Sequence, residues 1–279
     1  MAVAAEARGI DATGIAYNSG GKLRIFKRPW PAHVMRFHVP DDANVIMGHT
    51  RMQTHGSALK NQNNHPFSGN VGGMPFALAH NGVLYNHNTL RRTQALPATK
   101  IETDSYVAVQ LLQQKTALDF SSLRQVAESV EGSFVFTILD SKDNLYVVRG
   151  DNPFCLYHFP KRKLYAYAST KEILTQALAR VNMTGGKEVP VSSGEILQIR
   201  VDGRILRDQF DDSALLMGTI PWWRGWWHET PEPSVDQLYL EELRSVATAF
   251  GYTRENIDSL LQQGFTTDEI EELLYCGEH

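Results

Sequence analysis

Between residues 45 and 104 the chain sets three polar islands against short apolar runs, and this arrangement narrows the folds open to it. Gly48-His49-Thr50-Arg51-Met52-Gln53-Thr54-His55-Gly56 follows Val45-Ile46-Met47. Leu78-Ala79-His80-Asn81-Gly82 continues from Phe76-Ala77-Leu78, and Glu102-Thr103-Asp104-Ser105 comes last. Short apolar runs bounded by Gly and Asn predict strands buried on both faces that deliver polar side chains at their ends. An Arg, an Asn-Gly pair and an Asp thus fall within about one fifth of the chain. A cation, a pair of amide donors and an anion are what a site needs to hold a zwitterionic amino acid by both charges.

The flanking segments alternate between strand and helix signals. Residues 1–7 are rich in Ala and predict the last turns of a helix. Ile15-Ala16-Tyr17 and Leu23-Arg24-Ile25-Phe26 predict two strands joined through Asn18-Ser19-Gly20-Gly21, a hairpin signal. A short helix is expected after the prolines, within Trp30–Phe37. Asn86–Leu90 opens another helix, and Val107, Leu111 and Leu112 recur at helical spacing within 104–114. Helices follow at 120–130 and 171–180, with strands at 133–140, 145–149, 156–159 and 164–168. A last hairpin turns at Asp202-Gly203. This order predicts an α+β fold.

From Asp211 the character changes. Residues 211–233 form a linker rich in Trp and Pro, with four tryptophans between Trp222 and Trp227. That cluster is read as a packed edge or hinge before a docking surface. Residues 234–279 predict a small helical module: Ser234 caps one helix, Thr253 precedes a second that Gly264 closes, and Thr267 begins a third. The remaining segment, 1–210, forms the main domain. The formal charge of the whole chain, −4, without a Lys/Arg cluster, argues against a nucleic-acid partner. No apolar run approaches the ~20 residues of a membrane helix. Two well-separated cysteines, Cys155 and Cys276, fit a reducing, cytoplasmic setting.

The run Gly48–Gly56, then Asn61-Gln62-Asn63-Asn64-His65-Pro66-Phe67, Ala77–Arg91 and Glu102–Tyr106 resembles the glutaminase domain of class II glutamine amidotransferases, which are N-terminal-nucleophile hydrolases. The likeness extends from Arg8-Gly9-Ile10-Asp11 through Glu131-Gly132-Ser133-Phe134, over residues 1 to about 205. It implies a four-layer αββα sandwich of two antiparallel sheets between helices. It implies glutamine hydrolysis to glutamate and ammonia through a thioester. By the same resemblance Asn81 (side-chain amide) and Gly82 (backbone N–H) form the oxyanion hole. Arg51 pairs with the glutamine α-carboxylate and Asp104 with the α-ammonium, Thr54 and His55 line the pocket, and Arg8 lies near the nucleophile. Asp11 is read as structural. No cofactor and no metal are expected; His49, His55, His65, His80 and His87 lack metal-ligand spacing and are read as buried or turn histidines.

The family's nucleophile is a Cys whose own α-amino group, titrating near ~7.7–8.0, serves as base. Here Met1 falls inside the helix that follows that cysteine's strand, so the expectation is a chain without the nucleophile as given. A start codon placed too far downstream or a fragment is favoured over a pseudoenzyme. The expected partners are L-glutamine and a separate ammonia-accepting synthetase or transferase subunit, since no acceptor domain is recognisable after residue 210; a homo-oligomer is left open. The competing reading is a catalytically dead glutamine-binding or scaffold module that docks partners. A self-processing amidohydrolase ranks last, because no Cys, Ser or Thr stands between Met1 and Arg8.

Overall fold

A computed structural model describes residues 1–213, 215, 244, 247, 252–267 and 270. The chain divides into two units, Met1–Pro221 and Trp222–His279. In the first, β1 (Ala12–Ser19) and β2 (Lys22–Arg28) form the expected hairpin, with Gly20 and Gly21 at φ 57° and 70°. Two consecutive positive-φ residues make the turn whose twist matches that of the strands. β3 (Ile46–Arg51) pairs with the other side of β1. There follow β4 (Phe67–Val71), β5 (Met74–Leu84), α1 (His87–Thr93), α2 (Tyr106–Gln113) and α3 (Phe120–Ser129). Then come β6 (Gly132–Asp140), β7 (Leu145–Arg149), β8 (Cys155–Phe159), β9 (Leu164–Ala168) and α4 (Lys171–Arg180), and finally β10 (Lys187–Glu188), β11 (Glu195–Ile199) and β12 (Ile205–Gln209).

The pleat of the central strands builds the layers. Along β6, Phe134, Phe136 and Ile138 join the core under α2 and α3, whereas Val135 and Leu139 join a second core with Ala16, Met47 and Leu156. β5 divides the same way, Phe76 and Leu78 to one side and Ala77 and Ala79 to the other. Successive side chains of a strand point to opposite faces, so one six-stranded sheet, ordered β12-β11-β7-β6-β5-β4, closes two cores at once. Beyond the second core lies the other sheet layer, and beyond that a third cluster joins Ala4, Cys155 and Ala168 to Ile173, Leu174 and Ala177 of α4. Helices, sheet, sheet, helix: the chain has the αββα sandwich of the N-terminal-nucleophile fold.

Four local expectations are corrected. The second sheet layer is not one sheet but two of three strands, β2-β1-β3 and β10-β8-β9. β3 is not buried on both faces: Met47 is fully buried, but Ile46 is 50% exposed, as an edge strand with one solvated face allows. The helix expected within Trp30–Phe37 shrinks to a 3₁₀ turn, Ala32–Val34, of which Ala32 alone is buried. The N-terminal helix is likewise 3₁₀, Ala4–Arg8.

In the second unit, α5 (Arg254–Gln262) starts in a capping box formed by Thr253 and Asn256, and Gly264, at φ 94°, follows its end. Ala247, Ile257 and Ile270 are buried together. The Trp222–Trp227 cluster and most of the helices expected at 235–250 and 267–275 lie outside the described residues. Among the described residues no helix is long and apolar enough to cross a membrane.

Candidate active site

β5 is paired along one side as far as Leu84, but along the other only to Leu78, opposite Phe67. Beyond Leu78 its backbone presents an edge, and strand alternation decides which residues use it. Gly82 stands opposite Phe134, whose N–H donates to Asp151 Oδ1 (3.1 Å) and whose carbonyl accepts from Gly150 (2.9 Å). Opposed residues of an antiparallel pair exchange both bonds or neither, so Gly82 turns its N–H outward. Leu84 does the same, donating to Asp104 Oδ2 at 2.7 Å, and the His80 carbonyl receives His49 Nε2 at 2.9 Å. The Gly82 N–H therefore lies on the edge between a histidine of β3 and the buried Asp104 just before α2.

Asn81 completes this edge. Its carbonyl accepts from Asn152 Nδ2 at 2.8 Å, on the side away from Asp104, and Asn152 in turn accepts the Ser133 hydroxyl. The Asn81 side-chain Nδ2 is buried without a hydrogen-bond partner in the protein. Among the described residues ten buried side-chain polar atoms lack a partner, and seven belong to residues 49–103: His49, His55, both nitrogens of His65, Asn81, Arg91 and Thr103. Buried polar atoms are almost always satisfied, so such a concentration marks a place where water or a ligand belongs.

Arg51, at the end of β3, is only 4% exposed. Its Nη1 donates to Asn64 Oδ1 (2.9 Å), and its Nη2 to the carbonyls of His55 and Gly56 (2.8 Å for Gly56). Three of its five donors therefore hold the loop that carries Thr54 and His55, both half-buried. Burial pulls the guanidinium below its ordinary value, while the carboxylates of Asp11 and Asp104 act the other way. Arg51 and Asp104 make no direct ion pair; they face the site from separate elements. Asp11 Oδ2 accepts the Gln53 N–H (2.7 Å) and its own N–H donates to Arg51 O (3.0 Å), which fixes the turn. Arg8 ends the 3₁₀ turn, and beside it Gly9 lies so close to β3 that an added Cβ would stand 2.2 Å from Met52 N.

Several of the histidines pack ring against ring or onto a polar neighbour. His49 and His65 stand 4.2 Å apart, His55 and His87 5.7 Å apart, and His80 Nδ1 meets Ser105 Oγ at 2.8 Å. Burial pushes His49 down to about 4 and lowers His65 and His80 as well. Because the folded values lie below the unfolded one, near 6.5, the stability tied to neutral rings is intact above pH 6.5. It is lost as the pH falls from there toward about 4. His65 keeps both ring nitrogens unpartnered, so His65→Leu is expected to cost less than ~1 kcal/mol at pH 7 and to flatten the loss of stability between pH 6.5 and 5. Urea unfolding across that range checks it; an unchanged pH slope would refute the account.

The structure brings Asn81, Gly82 and Asp104 to one strand edge and sets Arg51 where it feels the Asp104 charge, while Thr54 and His55 lie in the loop that Arg51 holds and Arg8 ends the turn before Gly9. Sequence reasoning assigned no role to Asn152, which holds Asn81, or to Asn64, which holds Arg51. Asn64 lay within a quoted motif, and the Asp151-Asn152 pair directly after β7 was the available signal for the other.

The family described as glutamine amidotransferase domain matches residues 49–176. The glutamine–fructose-6-phosphate aminotransferase (isomerizing) of Bacillus licheniformis is 34% identical over 158 residues, covering 53% of this chain and 26% of that protein. The Staphylococcus aureus enzyme of the same name is 30% identical over 213 residues, covering 73% and 33%. This chain thus spans between a quarter and a third of those relatives' length. Glutamine phosphoribosylpyrophosphate amidotransferase from B. subtilis, a solved structure, superposes with a TM-score of 0.61 at 21% identity, covering 75% of this chain and 45% of that one. It shares the fold. The chain carries a domain of the class II glutamine amidotransferase family, with the N-terminal-nucleophile sandwich.

Proposed function

We propose that the β5 edge binds L-glutamine and that the domain serves glutamine-dependent ammonia transfer. The observation that carries this reading is the pairing, on one strand edge, of an outward Gly82 N–H and an unpartnered Asn81 amide with the buried Asp104 carboxylate. Asn81 and Gly82 would donate to the oxygen that becomes negative when the side-chain amide is attacked. Asp104 would take the α-ammonium, and Arg51 the α-carboxylate through the two donors its protein acceptors leave. Thr54 and His55 line the loop side, and Arg8 stands at the end of β3. Ammonia released here would pass to a separate synthetase or transferase subunit. The same proposal places the domain in the cytoplasm.

The attacking thiolate is not Cys155. That side chain is buried against α4, and burial, reinforced by Glu188, pushes its thiol up to about 11. A thiol at that value is protonated at neutral pH and a poor nucleophile. This favours keeping the second reading in view, a domain that binds glutamine without turning it over.

Calorimetric titration separates the readings. L-glutamine is expected to bind saturably, and Asp104→Asn to weaken it by about 100-fold, since a buried ammonium–carboxylate contact is worth ~2–5 kcal/mol. Asn retains an acceptor for the Leu84 N–H, so the fold survives. Equal affinity in parent and variant would sink the site assignment. Glutamate release from added glutamine supports the hydrolase, and saturable binding without release the binding module.

A further inference from the structure

A cavity of about 460 Å³, lined by none of the residues just assigned to the β5 edge, opens between β2 and the β4–β5 hairpin. β2 and β4 are both edge strands of their sheets, so the sandwich opens here. One wall is apolar, with Leu23 and Ile25 from alternate positions of β2 facing Pro75 and Phe76 of β5. Lys27 and Arg28 stand at the same groove, and no Asp or Glu lines it among the described residues. The volume is that of a small-molecule site.

The Lys27 ammonium is held in place before any ligand arrives. It donates to the carbonyls of Asn64 and Pro66 (3.0 Å to Pro66) and sits 5.0 Å from the centre of the Phe67 ring. Two of its three protons are thus used, leaving one. Carbonyl dipoles and an aromatic face favour the charge, yet burial, with a contribution from the Arg51 charge, still pulls the amine down to about 8. A half-buried cation without a carboxylate partner gains from an incoming anion more than an exposed one does, because the local dielectric is low. Arg28, stacked 4.6 Å over Phe26 with one Nη on the Lys27 carbonyl, adds a second charge at the rim.

We propose that this groove binds a small monocarboxylate with an apolar body, its carboxylate on Lys27 and Arg28 and its body against Leu23, Ile25, Pro75 and Phe76. The occupant is a single molecule of this kind: Lys27 and Arg28 meet its charge, Asn61 and Ser68 supply the remaining polar lining, and Leu23, Ile25, Pro75 and Phe76 offer an apolar surface for its body. The proposal does not rest on glutamine turnover and stands whether or not the domain hydrolyses glutamine.

The test is a titration of the full chain with 4-phenylbutanoate, followed by calorimetry, beside 4-phenylbutanamide and inorganic phosphate. The acid is expected to bind with a Kd below about 1 mM and the amide at least ~10-fold more weakly, a difference of ~1.4 kcal/mol. Lys27→Gln is expected to weaken the acid by ~10-fold or more and to leave the amide unchanged. Ser68, an exposed position on β4 at the groove, supplies a variant that leaves the cations in place; Ser68→Trp is expected to abolish binding of both acid and amide by filling the slot. If Lys27→Gln does not fold, the acid-to-amide ratio and Ser68→Trp decide. Equal binding of acid and amide, phosphate binding as tight as the acid, or undiminished acid binding in Ser68→Trp would each overturn the proposal.

Discussion

Gly82→Ala is expected to lose ~3–5 kcal/mol of stability, among the largest effects a single methyl can have in this chain. Gly82 sits at φ 134°, where an L side chain is strained by ~1–3 kcal/mol. The added Cβ would also stand 1.9 Å from Ser133 O and 2.7 Å from Asn152 Nδ2. The first of these atoms is β6 backbone in the centre of the six-stranded sheet, so it has no room to retreat without breaking the β5–β6 ladder. Gly21→Ala is the control. It too has positive φ, 70°, but nothing lies within 4 Å of its added Cβ, and its cost is expected near ~1–2 kcal/mol. Urea unfolding of both variants measures the difference. If the two lose equal stability, the close approach of β5 to β6 at this position is wrong.

Arg51→Ala is expected to cost a similar amount, ~3–5 kcal/mol, by a different route. It removes a buried cation and leaves Asn64 Oδ1 and the His55 and Gly56 carbonyls without their donor. The damage centres on the loop from Met52 to Asn64, which should become the first site of proteolytic cleavage. Arg51→Lys tests whether the charge or the fork matters. A lysine ammonium keeps the charge but cannot reach a side-chain oxygen and two successive carbonyls from one plane. Lysine is therefore expected to recover less than half of the loss. Full recovery would show that Arg51 acts as a point charge, and protection of the loop in Arg51→Ala would show that it is anchored elsewhere.

The helices and the central strands were legible because their signals are local. Lys171–Arg180 opens after Thr170, whose hydroxyl accepts from Ile173 N, and repeats its apolar positions at helical spacing. Phe76–Leu78 reads as doubly buried because both cores use it. β4 gave no such signal. Ser68, Gly69 and Asn70 are poor strand formers, and only pairing with β5 and contact with α2 make this segment a strand. In α2 the spacing of Val107, Leu111 and Leu112 predicted one buried stripe, whereas Ala108, Val109 and Gln110 are buried too, because a helix enclosed within the core has no solvated face. The side chains of the site could be named from motif order. Their supports could not: Asn152 reaches Asn81 across 71 residues, and the outward turn of the Gly82 N–H follows from the bonds Phe134 makes to Gly150 and Asp151, just after β7.

Asn64 joins the two cations. Its backbone oxygen receives Lys27, its side-chain oxygen receives Arg51, and its amide nitrogen donates to Ala58 O at 2.7 Å. One buried residue thus lies at the meeting point of two charges, Lys27 at the groove and Arg51 beside the proposed glutamine site. If both proposed sites bind their ligands, any shift of Asn64 that favours one occupied site changes the free energy of filling the other. Thermodynamic linkage makes that influence equal in both directions, so an effect of groove occupancy on Arg51 and an effect of pocket occupancy on Lys27 would be one coupling energy seen from two ends.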